Sequence, residues 1–344
     1  MSRTVNSLGH LRAHPLAGPL LAWVLLLAVG TVMIPGFLHV TWQDGHLGGF
    51  LVDIFNRAAP LMLVSLGMMM VVAIRGIDIS VGAVVAICAA VAARIIAGAG
   101  DGAGVGTLLA AIGGALAVAA LCGAWNGLLV VKAGMQPIVA TLILMIAGRG
   151  IAQLITDGQI ITIYYEPYAF LGSGHVLGLP FALVLALVVA LLLHGALTRT
   201  ALGLFVRAVG FNPLAAWVTG IRSRLLALLL YVSCSLCAGL AALVISANVR
   251  SADGNNAGQL MELDAILAVA LGGTTLAGGR FTVGGTLLGA LVIQTLTSVI
   301  HASGLPPQVN LAVKAVLVFA AMLLQSKEFR GFLAGLAFVK AGRA

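Results

Sequence analysis

Long apolar blocks alternate with short polar breaks along almost the whole chain. Most blocks run for about 20 residues, which as α-helix spans a hydrocarbon core of roughly 30 Å. The pattern predicts helices over residues 18–37, 59–75, 81–99, 105–131, 137–156, 177–197, 224–247, 262–277, 283–302 and 308–325. That makes about ten crossings, since in lipid only helices and closed barrels pair all their own backbone groups. The eighth and ninth blocks are short and rich in glycine, so one of them is open to a re-entrant reading. The first block is too long for a signal-peptide core and lacks a small-x-small cleavage site, so it reads as a retained span.

Composition supports this pattern. Hydrophobic residues make up 61% of the chain and charged residues 8%, against roughly a quarter charged in a soluble domain. The fold class is all-α and polytopic, with the lipid bilayer as solvent. Residues 1–17 and 326–344 read as tails around a transmembrane domain over 18–325.

The net charge of +8 does not point to nucleic acid, because the cations sit at span ends rather than on one soluble face. Ten crossings collect Arg3, Arg12, Arg75, Lys132, Arg199, Arg207, Arg222, Arg224, Arg280, Lys327, Arg330, Lys340 and Arg343 on one side. The other side holds Asp44, Asp53, Asp101, Asp157, Glu166 and Asp253, with Arg57 and Arg250. The positive-inside rule then makes both tails cytoplasmic.

The break over residues 198–224 lies on that basic side and contains no acid. Gly203, Gly210, Gly220 and Asn212-Pro213 turn the chain there. Leu202, Phe205, Val206 and Val209 share one face at helical spacing, which predicts a short amphipathic helix. The break is either an elbow that offers this helix to a partner or a basic loop that only fixes topology.

Polar residues at membrane depth are few. In GIDISVG (residues 76–82), Asp78 and Ser80 can cap the helix that follows, with Arg75 neutralising Asp78. Asn126, Arg149 and Gln153 lie inside spans and with Asp78 and Ser80 can line a wet path for a hydroxyl-rich solute. Arg149 can instead pair with Asp157 or reach outward, and Lys314 reads as a snorkelling lysine. Asn248, Asp253, Asn255 and Asn256 occupy an outer loop, where they serve either as turn residues or to dock an external partner.

Enzyme motifs are missing: the sequence has no HExxH, no GxxxxGK[ST] and no paired His/Cys ligand set. Cys234 and Cys237 have redox spacing but lie in an apolar run, so packing is the simpler account of them. No cofactor is expected, and any energy from ATP must enter through another chain. Two glycine-bounded breaks, over residues 74–86 and 271–290, suggest a weak internal duplication.

GIDISVG resembles the GGIDLSVG signature of the ribose-type sugar permeases of ABC importers, with Arg75 where that family usually has glycine. The elbow is similar to the family's ATPase-contacting loop, with Thr200, Gly203, Arg207, Ala208, Gly210, Asn212, Ala215, Ala216 and Gly220 in order. Residues 271–280 resemble its second glycine motif. Segments 53–60, 140–150, 252–258 and 262–267 are similar to the galactofuranose branch. The resemblance implies an ABC importer permease fold in a bacterial inner membrane. It implies a cytoplasmic ABC ATPase carrying ATP and Mg, a second and non-identical permease subunit, and a periplasmic sugar-binding protein. Gly203, Arg207, Gly210, Asn212, Ala215, Ala216 and Gly220 would then couple to the ATPase.

Overall fold

The computed structural model describes residues 16–43, 45–304 and 306–325. The two tails expected from sequence lie almost wholly outside these residues. The chain forms two compact units, one ending at Thr295 and the other beginning at Leu296.

The first unit opens with α1 (Ala17–Met33) and a ribbon of β1 (Thr41–Gln43) and β2 (His46–Gly48). Then come α2 (Phe50–Ala73), α3 (Val81–Ala99), α4 (Val105–Val131) and α5 (Pro137–Ile155). The short strand β3 (Ile161–Thr162), helix α6 (Glu166–Ser173) and the ribbon β4 (His175–Val176)–β5 (Leu179–Pro180) lead into α7 (Phe181–Arg199). The elbow folds as α8 (Ala201–Phe211) and α9 (Pro213–Val218). After α10 (Ser223–Val249), β6 (Ser251–Ala252) pairs with β3, and α11 (Met261–Leu271) and α12 (Val283–Ala302) follow. The second unit holds the end of α12 and α13 (Pro307–Gln325).

Among the described residues, seven helices are long and apolar enough to cross a membrane: α2, α3, α4, α5, α7, α10 and α12. The expectation was about ten. Helix α1 has 17 residues, and Lys314 of α13 is buried and does not reach outward as expected. The eighth block departs most. Its helix α11 has 11 residues, a rise of about 16 Å or half a hydrocarbon core. Helix α2 starts at Phe50, so Asp53 and Arg57 belong to its first turns rather than to a loop.

Helices α2, α3 and α10 form the core. Every residue of α2 from Ala58 to Ala73 is buried, as expected for a helix that is apolar all round and packed on every side. Helices α4 and α7 are apolar all round as well, yet Leu109, Leu121, Leu191 and Leu192 stand fully at the surface, where lipid would replace protein. Glycines set the helix spacing. A β-carbon on Gly67 would sit 2.9 Å from the Cys234 backbone, and one on Gly123 would sit 2.6 Å from that of Val232. Both glycines bring their helices into backbone contact with α10. The four cysteines are free, and Cys234 and Cys237 pack against Gly67.

One end of the bundle is tied by ion pairs, Arg94–Asp157 at 3.3 Å and Arg250–Glu166 at 2.7 Å. These pairs and the β3–β6 ribbon group the loops after α3, α5 and α10 at one end, as the charge pattern requires.

Gly123→Ile should force α4 off α10 and cost about 1–3 kcal/mol, read as a lower melting temperature of the detergent-solubilised protein. Gly113→Ile on the same helix, where a new β-carbon would meet nothing within 4 Å, should leave it unchanged.

Candidate coupling site

The break between α2 and α3 is the junction of the molecule. Helix α2 ends in a Schellman arrangement: Gly76 N–H donates to Val71 O at 3.0 Å and Arg75 N–H to Val72 O at 2.9 Å. This places Arg75 at the left-handed position with φ of 67°, where glycine is the usual occupant. Its guanidinium turns away from Asp78, contrary to the pairing expected from sequence. Nε donates to Gly210 O at 2.7 Å and Nη2 to Phe211 O at 2.6 Å. These are among the last carbonyls of α8, which no turn of that helix can pair, and a cation there suits the helix dipole. The left-handed backbone costs roughly 1–2 kcal/mol, which these two hydrogen bonds oppose from a side chain that is itself exposed.

The second glycine motif closes on the same point. Gly279 N–H donates to Ala73 O at 2.8 Å. A β-carbon on Gly210 would collide with Ala73 O and the Gly279 backbone, and one on Gly278 would lie 2.6 Å from Cγ of Arg75. Arg207, farther along α8, lies over the Phe281 ring at 5.3 Å. The two breaks singled out in the sequence therefore meet at one end of the elbow helix.

The elbow follows the predicted residues closely. Thr200 caps α8 through Leu202 N–H at 3.2 Å, and Asn212 caps α9 through Leu214 and Ala215 N–H, both at 3.1 Å. Gly203, Gly210 and Ala216 are buried, whereas Arg207, Asn212, Ala215 and Gly220 are exposed. Phe205 is exposed too, against the expectation that it shares the buried face of Val206 and Val209. The sequence reading missed the apolar outer surface of the elbow: Leu204, Phe211, Leu214, Trp217 and Val218 are all more than half exposed.

Deeper in, Asp78, Ser80 and Asn126 form one buried cluster. The Ser80 N–H and hydroxyl donate to Asp78 Oδ1 at 3.0 and 2.6 Å, and Asn126 Nδ2 donates to Ser80 Oγ at 2.8 Å. Ser80 therefore turns its hydroxyl to Asp78 and does not cap α3 by its side chain. Asp78 Oδ2, Asn126 Oδ1 and the Tyr231 hydroxyl have no hydrogen-bond partner among the described residues.

Arg149 and Gln153 lie elsewhere, against the outer loop. Arg149 Nη1 donates to the carbonyls of Asn255, at 3.3 Å, and Ala257, and Gln153 Nε2 donates to Asn255 Oδ1. Arg149 does not pair with Asp157, which Arg94 holds. The loop is folded by Asp253, whose Oδ1 accepts from Asn255 N–H at 2.8 Å and Asn256 N–H at 3.2 Å. Slight burial opposes ionisation of Asp253, but these bonds, the Asn256 side chain and Arg149 together hold its carboxyl below the usual range. Asn248 is exposed at the end of α10. The loop then dips to α3: a β-carbon on Gly82 would lie 2.5 Å from Gly258 O and collide with the Glu262 carboxylate. The five expected path residues thus divide into two groups, and residues 75–82 touch the elbow at one end and the outer loop at the other.

Comparison with known proteins gives the family. The family described as branched-chain amino acid transport system / permease component matches residues 50–322. The chain belongs to this permease family. The permease is 46% identical to the galactofuranose transporter permease protein YtfT of Escherichia coli, over 92% of this chain and 91% of that one. It is 32% identical to the fructose import permease FruF of Bifidobacterium longum, over 96% and 93% of the two chains. It is 33% identical to the ribose import permease RbsC of Escherichia coli, over 90% and 93%. No solved structure matches it. As a permease subunit it is a carrier rather than a catalyst.

Asp78→Ala would take the acceptor from the buried Ser80 N–H and hydroxyl, at roughly 1–3 kcal/mol per unpaired group, and should lower the melting temperature by several degrees. Asp78→Asn keeps an acceptor oxygen and should lose markedly less in the same measurement.

Proposed function

We propose that this chain is the membrane-spanning subunit of an ATP-binding-cassette importer that moves a monosaccharide of the galactofuranose type into the cytoplasm. The observation that carries this reading is the elbow: an exposed apolar and basic surface held directly on the breaks between transmembrane helices. A soluble partner is needed to cover Leu204, Leu214, Trp217 and Val218, which lie outside the long apolar helices. An ABC ATPase fits, since the sequence carries no GxxxxGK[ST] motif. ATP-driven closure of two such ATPases would push the elbows and switch the pore between outward- and inward-facing states. A periplasmic sugar-binding protein would dock on the opposite end, where Asn248, Asp253, Asn255 and Asn256 lie, and favour one of those states by binding it more tightly.

In this reading the chain makes about ten passes of a bacterial inner membrane with both tails cytoplasmic, and α11 supplies the helical half of the eighth pass. The two glycine breaks are copies of one ancestral unit, and a second, non-identical permease completes the pore. Asp78, Ser80 and Asn126 border the sugar path, while Arg149 and Gln153 govern access from the outer loop. The choice of galactofuranose is supported by 46% identity to a galactofuranose permease. Ribose or another pentose or hexose is the alternative, supported by identities of 32% and 33% to fructose and ribose permeases.

The test is co-expression with the ATPase and sugar-binding protein of the same operon, followed by ATP-dependent uptake in vesicles and calorimetry of the binding protein with galactose, ribose and fructose. Uptake without the ATPase, driven by an ion gradient, would overturn the class. Ala215→Glu places an acid on the exposed elbow and should reduce uptake about tenfold, an interface loss of about 1.4 kcal/mol, with membrane insertion unchanged. Gly210→Pro is a poorer probe, because Gly210 is buried at the junction.

A further inference from the structure

We infer that Arg75 is a positioning residue that locks the elbow helix to the end of α2, so that the elbow and the Asp78 turn move as one body. The inference rests on the reading of the elbow as the site of force entry.

Arg75 occupies the left-handed position of a Schellman turn, where backbone energetics favour glycine over any side chain. The turn itself does not need the arginine: both of its closing bonds run between main-chain atoms, Gly76 to Val71 and Arg75 to Val72. The side chain makes its two charged hydrogen bonds to another element, at the carbonyls of Gly210 and Phe211. These carbonyls end α8 just before Asn212 starts α9, at the bend of the elbow. Cγ of Arg75 also lies where Gly278 must lack a side chain, so the same residue fills the space between elbow and second glycine motif. Three residues on, Asp78 holds Ser80 and Asn126. A displacement of the α8 end therefore pulls directly on the chain that carries Asp78. Without Arg75, the elbow keeps the Gly279–Ala73 backbone contact beside it but loses its own direct bond to the Asp78 segment.

The informative variants are Arg75→Gly and Arg75→Lys, each assembled with the ATPase, the second permease and the sugar-binding protein in proteoliposomes, with labelled galactose as the transport probe. Arg75→Gly relieves the backbone strain and should insert normally. ATP hydrolysis should stay within about twofold of wild type while galactose moved per ATP falls at least fivefold. Arg75→Lys, which keeps the charge and one donor, should recover part of that ratio. Hydrogen exchange at residues 208–216 in the permease alone should rise severalfold in Arg75→Gly. An unchanged transport-to-hydrolysis ratio in Arg75→Gly would overturn the inference. So would failure of Arg75→Gly to insert, since that would make Arg75 a folding residue. If wild type itself shows no ATP-dependent uptake, the elbow reading fails, and elevated exchange in Arg75→Gly would then still report the lock.

Discussion

A hydrocarbon surrounding offers no water to an unpaired amide or carbonyl, so a helix of this chain that stops at membrane depth must be closed from within the protein, and the exposed end of α8 is closed in the same way. Most of the structure answers that constraint. Helix α2 closes on its own Schellman turn. Helix α8 closes on the Arg75 guanidinium. The Ala73 carbonyl, left over at the end of α2, is taken by Gly279, and the Ile79 amide by the Thr141 hydroxyl at 3.2 Å. The helix ends thus close one another. Because the partners of α8, of the Ala73 carbonyl and of the Ile79 amide come from different elements, none of these three can shift without exposing groups at another.

The same closures demand backbone contact, and the glycines follow from that. Gly210, Gly278 and Gly279 are small because three chain segments meet where a β-carbon would collide. Gly82 is small because the outer loop reaches down to it. The GIDISVG turn therefore has both ends fixed, by the elbow at Arg75 and by the loop at Gly82, with the Asp78 cluster held between them. A glycine-rich membrane protein is often described as loosely packed and flexible. Here the glycines mark the places with least freedom to move.

Much of this could be read from the sequence, for identifiable reasons. Hydrophobic blocks located the central helices because packing and lipid both reward the same residues. Asn212-Pro213 located the start of α9 because its cap is local. The start of α2 was misplaced because Asp53, Asn56 and Arg57 look like a loop, although the helix accommodates them in its first turns. The eighth block reads as a span, yet its glycines end the helix halfway. Long-range pairings were beyond reach. Asp78 lies three residues from Arg75, but a left-handed turn sends the guanidinium to an element more than a hundred residues away. Asp157 lies near Arg149 in sequence, but Arg94 reaches it from a different helix.

The two ends of the bundle are built from different materials. Arg94–Asp157 and Arg250–Glu166 hold one end through side chains that are largely exposed, and such pairs contribute little and fade once ions crowd within a Debye length of about 8 Å. The opposite end has the Gly279–Ala73 main-chain bond, which dissolved ions scarcely affect, beside the Arg75 guanidinium on the Gly210 and Phe211 carbonyls. Ionic strength is therefore an asymmetric lever on this molecule: brine slackens the end tied by ion pairs and leaves the close glycine packing at the elbow end taut.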